Sequence, residues 1–195
     1  MNSDVAGFVL AGGKSSRMGT DKAFLELEGR TLLSRMMNLV GGITSEVHIV
    51  GLRSKFEPFG PVIEDLYPNR GPLGGIHAAL SASGKDLNLI LAVDLPLVEA
   101  AFLEYLIAKA RAADVLVTVA RAGGGWQPLC AIYRRGFLDL ADRALQEGRN
   151  KIDPLFKGIP LEVIEESDLK AAGFSATMFQ NLNTPAEFLA AKGNP

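Results

Sequence analysis

Residues 5–22 read VAGFVLAGGKSSRMGTDK. The first seven of these residues are apolar or glycine, which is typical of a strand buried on both faces of a parallel sheet. The residues that follow combine glycines with three cations, Lys14, Arg17 and Lys22. Glycines let the backbone approach a phosphate closely, and cations neutralise its charge. The segment predicts a buried strand that runs into a phosphate-binding loop, with a flexible turn of solvated charges as the alternative.

Two common phosphate-binding motifs do not fit this loop. A P-loop needs a glycine five residues before the Gly-Lys pair, and Phe8 stands there. The dinucleotide fingerprint needs the spacing G-x-G-x-x-G, which Gly12, Gly13 and Gly19 do not provide. The loop therefore belongs to another class of phosphate site.

Strand-like and helical patterns alternate along the rest of the chain. Strand-like runs occupy residues 46–51, 62–64, 87–93 and 114–120, and helical patterns occupy residues 31–40, 73–83, 99–112 and 135–147. The third helical pattern contains one apolar stripe, formed by Phe102, Leu103, Leu106, Ile107 and Ala110. Strands separated by helices of this length predict a single α/β domain over residues 1–195, with a mainly parallel sheet.

Shorter elements are predicted near the C-terminus. Strands are expected at residues 129–133, 161–164 and 179–182, one of them antiparallel to the rest. A last helix is expected after Asn183, with Thr184 as its N-cap and Pro185 at its first position.

Composition narrows the classes of function. The 195 residues carry 20 Lys and Arg against 22 Asp and Glu, a net charge of −2, which argues against a broad nucleic-acid-binding face. A single cysteine, Cys130, and two histidines argue against a disulfide and against a Cys- or His-rich metal site. We find no secretory or membrane-spanning pattern, so we expect a cytoplasmic protein without a membrane partner.

Two aspartates follow strand-like runs. Asp65 comes after residues 62–64, and Asp94 comes after residues 87–93. Ligands of open α/β sheets bind beyond the carboxyl ends of the strands, where both aspartates are expected. A strand-end carboxylate beside phosphates commonly serves Mg²⁺, so Asp94 is a candidate metal ligand. The alternatives are a turn or N-cap aspartate at Asp94 and a charged surface turn at Asp65.

The chain resembles the molybdenum cofactor guanylyltransferases of the nucleotidyltransferase superfamily. The resemblance begins with Leu10-Ala11-Gly12-Gly13, Ser16-Arg17-Met18-Gly19 and Asp21-Lys22. It continues in order through Ile63-Glu64-Asp65, Gly71-Pro72-Leu73-Gly74-Gly75, Val93-Asp94-Leu95-Pro96-Leu97, Gln127-Pro128-Leu129-Cys130-Ala131-Ile132-Tyr133 and Asn181-Leu182-Asn183-Thr184-Pro185. The blocks span nearly the whole chain. They imply a Rossmann-like three-layer sandwich of the nucleotidyltransferase type.

The resemblance also implies a reaction and its substrates. Such enzymes transfer GMP from GTP to the terminal phosphate of molybdopterin, release pyrophosphate and use Mg²⁺. The implied partners are GTP and molybdopterin, with transient contacts to proteins that deliver or accept the cofactor.

Site roles follow from the same resemblance. Arg17 and Lys22 are the implied catalytic cations, and Asp94 is the implied metal ligand. The nucleotide is expected to contact the backbone amides of Gly12 and Gly13 and to meet the further candidates Leu10, Ala11, Lys22, Asp65, Gly74 and Asp94. Close packing of strand against helix is the alternative role for Gly74.

The acceptor side and one departure complete the prediction. Trp126, in the loop of residues 123–128, is expected either to stack on the pterin or to anchor the loop, and residues 148–151 form a basic loop where molybdopterin is expected or a solvated turn. Arg53 stands near the place of an asparagine that contacts the nucleotide in many family members. Either Arg53 replaces it or backbone groups select the base. The alternatives are a cytidylyltransferase, a nucleotidyltransferase with another acceptor, and a GTP-binding module without turnover.

Overall fold

The computed structural model describes residues 1–12, 21–181 and 187. The strands are β1 (Asn2–Leu10), β2 (Glu26–Leu27), β3 (Arg30–Thr31), β4 (Thr44–Val50), β5 (Val62–Ile63), β6 (Leu87–Ala92), β7 (Val117–Ala122), β8 (Gly125–Arg134) and β9 (Leu161–Glu165). The α-helices are α1 (Leu32–Ile43), α2 (Arg53–Phe56), α3 (Pro72–Ala82), α4 (Ala100–Ala112), α5 (Leu138–Gln146) and α6 (Glu166–Ala171).

Seven strands form one mainly parallel sheet. Their order is β5-β4-β1-β6-β8-β7-β9, and every neighbouring pair is parallel except the two that contain β8. The strands β2 and β3 form a separate antiparallel hairpin. The mainly parallel sheet with one antiparallel member, predicted from the sequence, is confirmed.

Helices cover both faces of the sheet. Buried residues of α1, α4 and α6 pack on one face, and buried residues of α3 and α5 pack on the other. Neighbouring residues of β1 alternate between the faces, because Val5 and Val9 join the first core cluster while Ala6 and Phe8 join the second. The predicted three-layer sandwich is confirmed.

The helix α1 shows how local sequence positions an element on the sheet. It begins where the Thr31 hydroxyl accepts a hydrogen bond from the Ser34 backbone N–H at 3.2 Å. It lies so close to β1 that a Cβ at Gly7 would come within 2.2 Å of Val40 Cγ1. The glycine in the opening apolar run is therefore required for this helix to pack.

The helix α4 confirms the apolar stripe read from its spacing. All five residues of the stripe are buried, and they form the core-facing side of the helix. None of the helices among the described residues is long and apolar enough to cross a bilayer.

One predicted strand is wrong. The strand predicted at residues 179–182 does not form at its described residues 179–181, and residue 182 lies outside the described residues. Residues 176–179 instead form a 3-10 helix that begins with the Ser175 side chain as its cap. Met178 and Phe179 are buried in the first core cluster, and the Phe179 ring packs edge-on against Phe102 at 5.3 Å. Burial in a turn beneath α4 therefore accounts for the apolar run without strand pairing. The predicted last helix, with Thr184 and Pro185, lies outside the described residues.

The order in which successive strands are added to the sheet reverses at β1. The strands β4 and β5 lie on one side of β1, and β6 lies on the other. Leu10 is level with Val50 and Ala92, and Val50 is level with Ile63, so the four strands end at one edge. A switch of this kind opens a crevice beyond the strand ends, here between the loops that follow β1 and β6.

Candidate active site

The crevice beyond β1 and β6 contains an ion pair between two predicted site residues. Lys22 Nζ donates a hydrogen bond to Asp94 Oδ2 at 3.2 Å. The side chains are 31% and 21% exposed, so the pair lies at the surface of the crevice and is open to a ligand. The two residues are 72 positions apart in the chain, and the parallel pairing of β1 with β6 brings the segments that follow these strands together.

A short helix positions Lys22. The 3-10 helix Lys22–Phe24 is capped by Asp21, whose Oδ1 accepts a hydrogen bond from the Ala23 backbone N–H at 2.9 Å. Ala23 is fully buried in the first core cluster, which anchors the turn to the body of the protein. The ammonium group of Lys22 therefore stands on a fixed turn.

The loop that follows β1 is tied to β4. The backbone N–H groups of Ala11 and Gly12 both donate to the Val50 carbonyl, at 3.0 and 3.2 Å. The Gly12 amide, expected to face the nucleotide, is thus already paired. Gly12 also packs against Gly51, because a Cβ at Gly12 would lie 3.6 Å from Gly51 Cα. Because Gly12 and Gly51 have no side chains, backbone atoms form the floor of the crevice here.

Leu10 and Ala11 lie beneath this floor. Their side chains are 7% and 6% exposed and belong to opposite core clusters. Any contact of these residues with a ligand is therefore made through backbone atoms. Gly13 and Arg17, the other predicted residues of this loop, lie outside the described residues.

The carboxylate of Asp65 packs against the first turn of α3. Asp65 Oδ1 accepts a hydrogen bond from the Tyr67 backbone N–H at 2.8 Å. A Cβ at Gly74 would lie only 2.5 Å from Asp65 Oδ2, so Gly74 is required for this approach. Burial raises the pKa of the Asp65 carboxyl, while the Tyr67 amide and nearby His77 act in the opposite direction. The predicted residues Asp65 and Gly74 are thus in direct contact.

Arg53, which stands near the place of the family's asparagine, is held by contacts within the protein. Arg53 Nη2 donates to the Val62 carbonyl at 3.1 Å, and Arg53 Nε lies 3.9 Å from Glu64 Oε2. The Arg53 backbone N–H also donates to Glu64 Oε1 at 2.9 Å. These contacts hold the guanidinium on the edge strand β5, which favours backbone groups as the selectors of the base.

A polar cluster that sequence reasoning missed joins this region to α5. Asp142 Oδ1 accepts a hydrogen bond from the Tyr67 hydroxyl at 2.7 Å and lies 3.2 Å from His77 Nε2. The rings of Tyr67 and His77 meet edge to face at 5.0 Å. No motif contains Asp142, which lies within the helical pattern predicted at residues 135–147. The cluster fixes the shape of the loop that contains Asp65.

Later parts of the chain form the other side of the crevice. The Trp126 ring packs edge-on against Phe156 at 5.5 Å, and the Arg121 guanidinium covers its face at 5.4 Å. These contacts favour the anchoring role for Trp126 over stacking on a pterin. A Cβ at Gly148 would lie 3.7 Å from Arg70 Nη1, so the basic loop at residues 148–151 lies beside the loop before α3. Arg70 therefore adds a cation to that loop.

Cys130 contributes no reactive chemistry to the site. Cys130 is fully buried within β8, and burial raises the pKa of its thiol far above the ordinary value. Among residues 1–12 and 21–181, no group of three or more His, Cys, Asp or Glu side chains is arranged to hold a metal ion. Asp94 is a single carboxylate beside the crevice, which suits a hard cation that takes its remaining oxygens from phosphate and water.

Comparison with known proteins agrees with this architecture. The model of the MobA-like NTP transferase domain matches residues 7–159. The chain is 33% identical to the molybdenum cofactor guanylyltransferase of Desulfosudis oleivorans, over 94% of this chain and 92% of that protein. It is 25% identical to the crystal structure of molybdopterin-guanine dinucleotide biosynthesis protein A from Archaeoglobus fulgidus. That match has a TM-score of 0.79 and covers 96% of this chain and 97% of the other.

A more distant structure shares the fold alone. The crystal structure of 4-diphosphocytidyl-2C-methyl-D-erythritol synthase from Anaerococcus prevotii matches with a TM-score of 0.69 at 12% identity, over 98% of this chain and 95% of that one. The family model and the relative that is 33% identical each match most of the chain, so they show its family as well as its fold. This chain belongs to the family of MobA-like NTP transferases and, within it, to the molybdenum cofactor guanylyltransferases.

Proposed function

We propose that this protein transfers GMP from GTP to the terminal phosphate of molybdopterin and so forms the guanine dinucleotide form of the cofactor. An oxygen of the acceptor phosphate attacks the α-phosphorus of GTP, the bond from that phosphorus to the bridging oxygen of the β-phosphate breaks, and pyrophosphate leaves. The observation that carries the proposal is the contact between Lys22 and Asp94 at the switch point of the sheet, in a member of this family.

Lys22 is proposed to stabilise the triphosphate and the leaving pyrophosphate. An acceptor phosphate and a triphosphate repel one another, so the site must supply positive charge and hold the reactants in line. A preorganised group aimed at developing charge lowers such a barrier by about 3 kcal/mol. The ammonium of Lys22 is preorganised by its capped turn. Arg17 is proposed to share this task.

Asp65, Gly74 and the backbone of residues 10–13 are proposed to hold the nucleoside. The partly buried Asp65 carboxylate accepts a hydrogen bond from the Tyr67 backbone N–H through one oxygen, and its other oxygen lies against Gly74. A carboxylate acceptor of this kind suits the N–H donors of a base or the hydroxyls of a ribose. Since Arg53 is held by Val62 and Glu64, base selection is assigned to these groups and to nearby backbone atoms.

Mg²⁺ is proposed to bind at Asp94. When bound, the ion supplies charge neutralisation for the triphosphate and its leaving group. The carboxylate of Asp94 would provide one of its oxygen ligands, in exchange for part of its contact with Lys22. The Lys22 ammonium would then be available to contact the phosphates.

The acceptor is proposed to lie toward residues 148–151. Arg70 lies beside Gly148, and Arg149 and Lys151 are exposed in the same loop. Clustered cations attract a phosphate. Transient contacts with other proteins and a cytoplasmic location stay predictions from the sequence.

The test is pyrophosphate release by the purified protein with Mg²⁺, molybdopterin and GTP, CTP or ATP in separate reactions. Release with GTP alone is expected. Release with CTP alone would assign the protein to cytidylyl transfer, which the shared fold of a diphosphocytidyl synthase makes the relevant alternative. Binding of GTP without release from any nucleotide would indicate a binding module or another acceptor.

A further inference from the structure

A second lysine lies behind the ion pair of the crevice. Lys55, on α2, forms an ion pair with Asp21 Oδ2. Its Nζ atom also lies 5.5 Å from the centre of the Phe24 ring and 5.1 Å from that of Phe56. The helix α2 is thereby joined to the segment that immediately precedes Lys22.

The surroundings of Lys55 are unusual for a surface lysine. Its side chain is only 31% exposed, and Phe56 beside it is buried. Burial lowers the pKa of the Lys55 ammonium, so its charged form is costly to keep there. The carboxylate of Asp21 and two aromatic faces offset that cost.

The two oxygens of Asp21 have different partners. Oδ2 meets Lys55, while Oδ1 accepts the hydrogen bond from the Ala23 backbone that caps the 3-10 helix. Lys22 is the first residue of that helix, and its ammonium reaches Asp94. One carboxylate therefore connects Lys55 to the turn that presents Lys22.

We propose that Lys55 is a positioning residue: through Asp21 it holds the turn that directs the Lys22 ammonium toward the triphosphate. This role rests on the function proposed for Lys22. Lys55 acts through Asp21, because its ammonium faces that carboxylate and the two rings. The turn presents Lys22, which is proposed to bind the triphosphate, so the effect is expected on GTP and not on molybdopterin.

The first variant is Lys55→Met, which keeps an apolar stem against Phe56 and removes the charge. A displaced Lys22 is expected to lower kcat/KM for GTP about tenfold and to leave the KM for molybdopterin unchanged. Lys55→Arg retains a cation and is expected to restore most of the activity. The matched control is Lys109→Met, because Lys109 also pairs with a carboxylate, Glu162, and lies over an aromatic ring, Tyr105, far from the crevice.

A double-mutant cycle decides how Lys55 acts. In a Lys22→Ala background, Lys55→Met is expected to change kcat/KM for GTP less than about twofold, because its route of action is gone. An equal loss in both backgrounds would overturn the proposal, and so would a Lys55→Met variant with the same activity as Lys109→Met, whatever its Tm. If Lys55→Met fails to fold, Asp21→Asn replaces it, since asparagine keeps the capping oxygen and loses the charge.

The cycle separates failure of this proposal from failure of the proposed function. If Lys22→Ala leaves GTP turnover unchanged, the role of Lys22 fails, and the role of Lys55 fails with it. If Lys22→Ala lowers turnover and Lys55→Met does not, only the positioning role is overturned.

Discussion

At the scale of single residues, the contact between Lys22 and Asp94 is significant for its charges rather than for stability. Both side chains are partly exposed, and an ion pair of that kind contributes about 1 kcal/mol or less to folding. Its two members have opposite uses toward a nucleotide, because one attracts phosphate and the other attracts a cation. The pair therefore keeps each group in place until the ligands arrive.

Removal of the Lys22 ammonium is expected to affect the rate far more than the fold. Lys22→Ala should lower pyrophosphate release on the order of a hundredfold, since a preorganised cation is lost. Its Tm should stay close to that of Lys109→Ala, which loses a comparable exposed pair with Glu162. Initial rates and thermal denaturation measure the two effects. Full activity of Lys22→Ala would remove this residue from the site.

Asp94→Asn tests the metal. The amide keeps the size of the side chain and loses the negative charge that a hard cation requires. We expect most activity to be lost and the Mg²⁺ concentration for half-maximal rate to rise, as measured by titrating Mg²⁺ at saturating GTP. A variant with the wild-type rate and the wild-type Mg²⁺ dependence would make Asp94 a turn residue.

Asp65→Asn is expected to lower the affinity for GTP and to raise the free energy of unfolding at neutral pH. Because burial raises the pKa of the Asp65 carboxyl above its ordinary value of 3.8, the folded state binds its proton more tightly than the unfolded state does. The ionised group therefore lowers the free energy of unfolding at neutral pH, and this cost disappears as the pH falls below about 4. Asparagine keeps the acceptor for Tyr67 and carries no charge.

Denaturant titrations measure the Asp65 effect. Asp65→Asn should be at least as stable as the wild type at pH 7, and its advantage should shrink as the pH is lowered toward 4. Its affinity for GTP should fall, as calorimetry at pH 7 would detect. A variant that is less stable at pH 7 and binds GTP normally would contradict both expectations.

At the scale of elements, the start of α3 is shaped to receive a carboxylate. The helix begins after Gly71, which has a φ of +68°, a left-handed conformation that favours glycine. Three residues later, Gly74 leaves room for Asp65. The loop between β5 and α3 is further tied to α5 by Asp142. Two helices thus fix the Asp65 carboxylate, for which we propose a role in nucleotide binding.

A pair of helical glycines separates this role from helix propensity. Gly74→Ala would place a Cβ 2.5 Å from the Asp65 carboxylate, whereas a Cβ at Gly42 in α1 would meet nothing within 4 Å. Gly42→Ala should raise stability by about 1 kcal/mol, as alanine usually does within a helix. Gly74→Ala should raise the Kd for GTP without that gain. Equal stability gains with unchanged GTP binding in both variants would show that Asp65 can move freely.

The short elements show where prediction from the sequence stops. The buried strands and α4 were predicted because their apolar patterns are long enough to define a period. The helix α2 has four residues and the hairpin of β2 and β3 has two per strand, so neither contains a period. The helix α6 does have a signal in the sequence, because Glu165 and Asp168 stand at the spacing of a capping box and form one in the structure.

At the scale of the whole molecule, the same limit applies to the site. Lys22, Asp65, Gly74 and Asp94 were found because they belong to motifs, and the sheet gathers them at one edge. Lys55, Tyr67, His77 and Asp142 act through contacts between elements distant in sequence, and their spacing carries no trace of that. The single domain over residues 1–195 stays a prediction.

The parallel strands end at the same level, so residues from distant parts of the chain reach one crevice. Every described residue proposed for the nucleotide precedes α4. The segment of residues 123–128, predicted as a loop but in fact running into β8 from Gly125 onward, follows α4, as does the loop at residues 148–151. The residues proposed for the two substrates thus come mainly from different halves of the chain, with Arg70 beside residues 148–151 and Asp142 of α5 bonded to Tyr67 as the contacts between them. Recombination within α4 would combine a new recipient with an unchanged donor chemistry, so a hybrid with the second half of a relative should keep its nucleotide and acquire that relative's acceptor.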